Sequence, residues 1–193
     1  MDSKEFLTSY LNDFSDLIKL NRNIVDQLVE VSDLLKNVNA EGKKTFIFGN
    51  GGSAAISSHF SVDLTKNAGL RCVNFNEADL ITCFSNDYGF ERWMEKAVDF
   101  YGDTGDLLIV ISSSGSSENI LNGVKAARNG KFRAVVTLSG FDKDNPLCQL
   151  GDINLWVDSR AYNFVENIHQ VWLLAIVDLI IGKAEYPANQ DGS

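Results

Sequence analysis

No extended basic run occurs anywhere in the 193 residues, and the chain carries a net charge of −9. A nucleic-acid footprint or an anionic membrane surface calls for clustered cations, so neither is expected as a partner. Any anion this protein binds must be held locally, by amides, hydroxyls and helix ends. The three cysteines, Cys72, Cys83 and Cys148, are odd in number and lack metal-ligand spacing. They read as reduced thiols in or near the core, not as a disulfide framework. No stretch reaches the ~18 apolar residues of a membrane span, and the acidic amino-terminal residues lack signal-peptide character, so the expected compartment is the cytoplasm. Neither the lysine-containing P-loop nor the G-x-G-x-x-G fingerprint is present, so no nucleotide cofactor is expected. Internal repeats and interdomain linkers are absent too, and a chain of this length is most simply one domain with a sizeable core.

What the chain does have is two glycine- and serine-rich loops, each after an apolar strand-like run and each opening a helix. The first is Gly49 to Ala55, GNGGSAA, after Thr45-Phe-Ile-Phe48. The second is Ser112 to Asn119, SSSGSSEN, after Leu107-Leu-Ile-Val-Ile111. Glycine permits unusual φ and close backbone approach, while hydroxyls and N–H groups gathered at a helix N-terminus suit a phosphate. A single loop of this kind is equally an ordinary strand-to-helix turn capped by serine. Two of them in one small α/β chain favour the phosphate.

Residues 6–39 form a long helical stretch with apolar positions at Leu7, Leu11, Phe14, Ile18, Ile24, Leu28, Val31, Leu34 and Leu35. No strand precedes it, so its apolar stripe needs cover, and a second subunit is the candidate. Strands are expected at 44–48, 71–75, 106–111, 132–138 and 153–157, separated by helix-compatible stretches that include 53–66 and 117–128. That alternation predicts an α/β three-layer fold: a five-stranded parallel sheet with helices on both faces and a leading N-terminal helix. A last helix over 161–181 is apolar in its second half, and the residues beyond Gly182 form a polar tail.

The pairing of GNGGS, Gly49 to Ser53, with ISSSGSS, Ile111 to Ser117, resembles the SIS (sugar isomerase) domain family. Three further segments narrow the resemblance to its phosphoheptose isomerase subgroup: HFSVDLT from His59, SNDYGF from Ser85 and VENIHQ from Val165. The resemblance covers the chain from the leading helix to the last one. It implies a flavodoxin-like fold over residues 1–193, with 1–40 serving oligomer packing and 183–193 as the tail. It further implies a phosphorylated sugar as ligand, a homotetramer with active sites between subunits, and a role in supplying heptose for surface polysaccharide such as lipopolysaccharide or capsule.

Position by position, the resemblance assigns substrate binding to Asn50, Gly51, Gly52 and Ser53 of the first loop. It assigns phosphate hydroxyls to Ser112, Ser113, Ser114 and Ser117, and sugar contacts to Asn86 and Asp87. His59 matches a zinc ligand of the family. Asp63 stands where the family has a glutamate that is both ligand and base, and Glu166 where it has a ligating glutamine. The implied zinc site is therefore His59, Asp63 and Glu166. Leu174 stands where the family has its final histidine, a ligand and proposed acid, and His169 matches another histidine of the same helix.

Aldose–ketose isomerisation moves a proton between adjacent carbons through an enediol(ate), which requires a base near the carbons and something to stabilise the developing oxyanion. Glu166 or Asp63 is the candidate base, with His59, His169 or a metal as the electrophilic partner. Glu166 and His169 are also what a surface i, i+3 helix pair would look like. Arg160 could face an anionic sugar group, or Asp158 or Ser159 could simply cap the last helix. Trp93, Trp156 and Trp172 fit core or subunit packing better than sugar stacking. Two readings compete with a heptose phosphate isomerase. One is a non-catalytic phosphosugar-binding regulator of the kind that associates with the replication initiator, and the other is an isomerase for a different phosphosugar.

Overall fold

The computed structural model describes residues 2–19 and 22–187. Its elements run α1 (Ser3–Leu17), α2 (Arg22–Ala40), β1 (Thr45–Gly49), α3 (Gly52–Lys66), β2 (Cys72–Val73), α4 (Ala78–Tyr88), α5 (Trp93–Tyr101), β3 (Leu107–Ser112), α6 (Glu118–Asn129), β4 (Ala134–Ser139), β5 (Ile153–Trp156) and α7 (Tyr162–Ile181), with short 3-10 turns at Phe90–Arg92 and Pro146–Gln149. The five strands are ordered β2-β1-β3-β4-β5, and every neighbouring pair is parallel. Each expected strand is present within a few residues of its predicted bounds.

β1, β3 and β4 are buried along their whole lengths, as strands covered on both faces must be. Their side chains alternate between two cores. Ile47, Ile109, Ile111, Val136 and Leu138 point to one, where Val31 and Leu35 of α2, Phe60 and Leu64 of α3, and Leu173 and Ile176 of α7 close over them. Phe46, Phe48, Leu108, Val110 and Val135 point to the other, against Trp93 and Met94 of α5 and Ile120 and Val124 of α6. Each of these fully buried side chains contributes on the order of 2 kcal/mol.

Residues 6–39 are two helices, not one. The apolar spacing runs on at three or four residues through Phe14, Leu17, Leu20, Ile24 and Leu28, so it carries no mark of the break, yet the chain leaves α1 at Leu17 and enters α2 at Arg22. α1 carries no buried residue, whereas α2 buries Val31, Ser32, Leu35 and Val38.

α7 corrects a second expectation. It is 20 residues long with a mean hydropathy of 1.6, enough by length and composition to cross a membrane. Its packing is that of a core helix: Phe164, Val165, Ile168, His169, Trp172, Leu173, Ile176 and Val177 are buried in the sheet and its neighbours. Tail residues 188–193 lie outside the described residues.

Candidate active site

In a parallel sheet every strand ends at the same edge, and ligands settle where the chain leaves the carboxyl ends of the strands. β1 and β3 are adjacent here, in register from Thr45 with Leu107 to Gly49 with Ile111. Their two glycine- and serine-rich loops therefore emerge side by side. Between them lies a pocket of about 100 Å³ lined by Asn50, Ser53, Ile111, Ser112, Ser113, Ser114, Ser117, Tyr162 and Glu166. A larger cavity of about 600 Å³, between the α1–α2 hairpin, β5 and α7, contains no residue of either loop. The smaller pocket carries the chemistry.

Three helices begin at this pocket: α3, α6 and α7, and none has a side-chain cap. The serine-cap reading of the loops is thus not what the structure has. Ser117 occupies the N-cap position of α6, yet its Oγ lies 3.2 Å from Ser112 Oγ instead of closing on the helix amides. Uncapped first-turn N–H groups carry the positive end of the helix dipole, and no Lys or Arg lines the pocket. Ser113 Oγ is buried at the pocket without a hydrogen-bond partner. A buried hydroxyl left in that state costs about 1–3 kcal/mol, which a bound oxyanion would recover. Gly115 gives the serine loop its shape, with φ +65 and with Asn145 packed where a Cβ would project.

Glu166, on the first turns of α7, closes the other side of the pocket. Its carboxylate packs against Gly52, where an added Cβ would sit 2.7 Å from Glu166 Cδ. That approach is why Gly52 is a glycine. Burial raises the Glu166 carboxyl above its ordinary value, and no hydrogen bond or ion pair among the described residues holds its charge. It is an unengaged carboxylate in a partly dry site, the state that suits a proton acceptor.

The remaining predicted residues separate into those near the pocket and those elsewhere. Asn50 and Ser53 line the pocket, with Gly51 (φ +53) and Gly52 between them in the first loop. Asn86 and Asp87 are exposed at the C-terminal end of α4, Asn86 Nδ2 donating to Asp87 Oδ1 at 2.9 Å, and they do not line the pocket. His59 Nε2 lies 3.2 Å from Asp63 Oδ2 one turn along α3, and Gln170 Nε2 donates to His59 Nδ1 at 3.3 Å. Both ring nitrogens of His59 are thus engaged by protein groups.

His169 does not enter the pocket. It is fully buried, its Nε2–H donates to the Ser139 carbonyl at 3.1 Å, and Nδ1 has no partner. Burial lowers its pKa to about 4, so the ring is neutral at pH 7. The expected zinc donors also stay apart: Glu166 sits at Gly52, while His59 and Asp63 lie about two and three turns further along α3. Among the described residues no group of three His, Cys, Asp or Glu side chains converges as a metal site, and Leu174 supplies no donor. His59, Asp63 and Glu166, the three donors that the family resemblance implies, do not gather as one set among the described residues.

Arg160 pairs with Asp142 at 2.6 Å and stacks over Phe141, and Ser159 Oγ accepts from the Ala161 amide, so neither Asp158 nor Ser159 caps α7. Trp93 and Trp172 are core residues. Tyr162 and Gln170 were missed in the sequence, although both lie four residues from Glu166 and so on its face of α7. Asn119, which bonds to Asn50, was missed as well.

A family model described as a SIS domain matches residues 9–140. The phosphoheptose isomerase of Fusobacterium nucleatum is 32% identical over 180 residues, spanning 89% of this chain and 91% of that protein. The phosphoheptose isomerase of Aliarcobacter butzleri is 32% identical over 185 residues, spanning 92% and 94% respectively. The solved structure of the phosphoheptose isomerase from Neisseria gonorrhoeae superposes with a TM-score of 0.85 at 28% identity, covering 94% of this chain and 100% of that one.

Proposed function

The chain belongs to the SIS domain family and, within it, to the phosphoheptose isomerases, and from that premise we propose that it interconverts sedoheptulose 7-phosphate and the corresponding aldose phosphate. The observation that carries the reading is the pairing, in one small pocket, of an anion cradle with the unengaged carboxylate of Glu166. The phosphate sits among Ser112, Ser113, Ser114 and Ser117 at the N-terminus of α6. Glu166 takes the proton from the carbon next to the carbonyl. The electron pair of that C–H bond forms the carbon–carbon double bond of the enediol(ate), and the carbonyl oxygen becomes the oxyanion. The proton of the neighbouring hydroxyl passes to that oxyanion, leaving its own oxygen as the new carbonyl, as Glu166 returns the carbon-bound proton to the former carbonyl carbon. The uncapped amides at the start of α3 stand beside Glu166 and offer the oxyanion its donors.

Zinc, the metal that the family resemblance implies, is given no step, because the donors of this chain do not gather. Assembly of several copies is supported by apolar side chains exposed along α1 and α2, among them Phe6, Leu7, Leu11, Val25 and Val29. A cytoplasmic setting and a supply of heptose for surface polysaccharide complete the reading.

The rival, a phosphosugar-binding protein without chemistry, is favoured by Leu174 and by the dispersed donors. Turnover separates the two. Incubation with sedoheptulose 7-phosphate, followed by resolution of the sugar phosphates, is expected to give aldose phosphate with the wild type and none with Glu166→Ala. Tight phosphosugar binding with no product would instead identify the regulator.

A further inference from the structure

Asn50 has both ends of its carboxamide engaged. Its Nδ2 donates to Asn119 Oδ1 at 3.0 Å, and its Oδ1 accepts from Asn119 Nδ2 at 2.8 Å. The two side chains form a closed, reciprocal amide pair between residues 69 positions apart in sequence. Asn119 belongs to the first turn of α6, is 3% exposed, and also accepts from the Ile120 amide at 3.1 Å. It does not line the pocket, whereas Asn50 does. One side chain thus ties the glycine loop of β1–α3 to the helix that carries the serine loop of β3–α6.

We propose that Asn119 is a positioning residue that, through Asn50, fixes the separation of the two loops. The serine loop and α6 can hold a phosphate without help from the first loop. A sugar phosphate must satisfy both, because its phosphate sits among the serines while its reacting carbons must reach Glu166, which packs on Gly52 of the first loop. A buried pair of hydrogen bonds across the gap holds that distance, and Asn50 serves the substrate by shaping the loop. The kinetic arm of this inference rests on the isomerase reading above; the structural arm does not.

The test uses the full chain as wild type, Asn50→Ala, Asn119→Ala and the double variant. Amide hydrogen exchange over residues 49–55 reads the clasp directly, and Asn119→Ala is expected to speed it by roughly 10-fold or more. With sedoheptulose 7-phosphate, kcat is expected to fall roughly 100-fold, as for a reacting group misplaced by about 1 Å. Binding of inorganic phosphate, followed by calorimetry, is expected to stay essentially unchanged. The double variant is expected to be no worse than either single one, because both remove the same interaction. Unchanged exchange in Asn119→Ala, or losses that simply add in the double variant, would overturn the clasp. A wild type that turns over no sugar phosphate would overturn the isomerase reading, while the exchange measurement still decides the clasp. If Asn119→Ala does not fold, Asn119→Asp, which replaces the donor to Asn50 Oδ1 by a carboxylate oxygen facing it, is read by the same exchange and kinetic outcomes.

Discussion

Glu166 and His169 are three residues apart on α7 and occupy different media. The first faces the pocket, half-buried and without a partner among the described residues; the second is sealed between the sheet and α7, with one nitrogen spent on the Ser139 carbonyl. For His169 the consequence is a pH-dependent stability. Its pKa is about 4 when folded and 6.5 when free, so between those values the unfolded chain binds more protons and stability falls as the pH drops. The contribution is complete above pH 6.5 and lost at about pH 4, on the order of 3 kcal/mol in all. Urea unfolding at pH 7 and pH 4.5 is expected to show a larger loss in the wild type than in His169→Gln. Equal losses would mean that the ring is not held neutral by burial.

At the scale of elements, the site is built from helix beginnings. α3, α6 and α7 all start uncapped at the carboxyl edge of the sheet, and Ser113 adds a hydroxyl that nothing among the described residues satisfies. Ser113→Ala is therefore expected to weaken binding of inorganic phosphate by about 10-fold or more, the loss of a hydrogen bond to a charged group, with no loss of thermal stability. Calorimetric titration checks the first part and thermal unfolding the second. α3 and α7 meet at Gly52 and Glu166, where the space for a Cβ is taken by the carboxylate. Gly52→Ala is expected to displace Glu166 and to lower kcat by roughly 100-fold. A Gly52→Ala enzyme with wild-type kcat would show that Glu166 does not act from this position.

Much of this level was legible in the sequence because its signals are local. An apolar run, a Gly/Ser loop and a helix-forming stretch each announce themselves within a few residues, and together they placed every strand and both loops. The break between α1 and α2 was not legible, because Leu17, Leu20, Ile24 and Leu28 keep helical spacing across it. The burial of His169 was not legible, since a helix apolar on several faces does not say which face meets the sheet. The Asn50–Asn119 pair had no signal at all: an asparagine in a loop looks the same whether it meets substrate or another asparagine 69 residues away.

For the whole molecule, the acidic charge and the anion pocket are reconciled by locality. A net charge of −9 repels a phosphate at long range, yet the pocket offers hydroxyls and helix ends with no cationic side chain. The fold supplies through backbone geometry what the composition withholds. The central claim is that Glu166 moves a proton between adjacent carbons of a heptose phosphate, and exchange with solvent reads that step alone. Incubated with sedoheptulose 7-phosphate in D2O, the wild type is expected to place deuterium on the carbons flanking the transferred proton, and Glu166→Gln to place none. Absence of deuterium with the wild type, across phosphorylated heptoses and hexoses and with zinc supplied, would contradict the account.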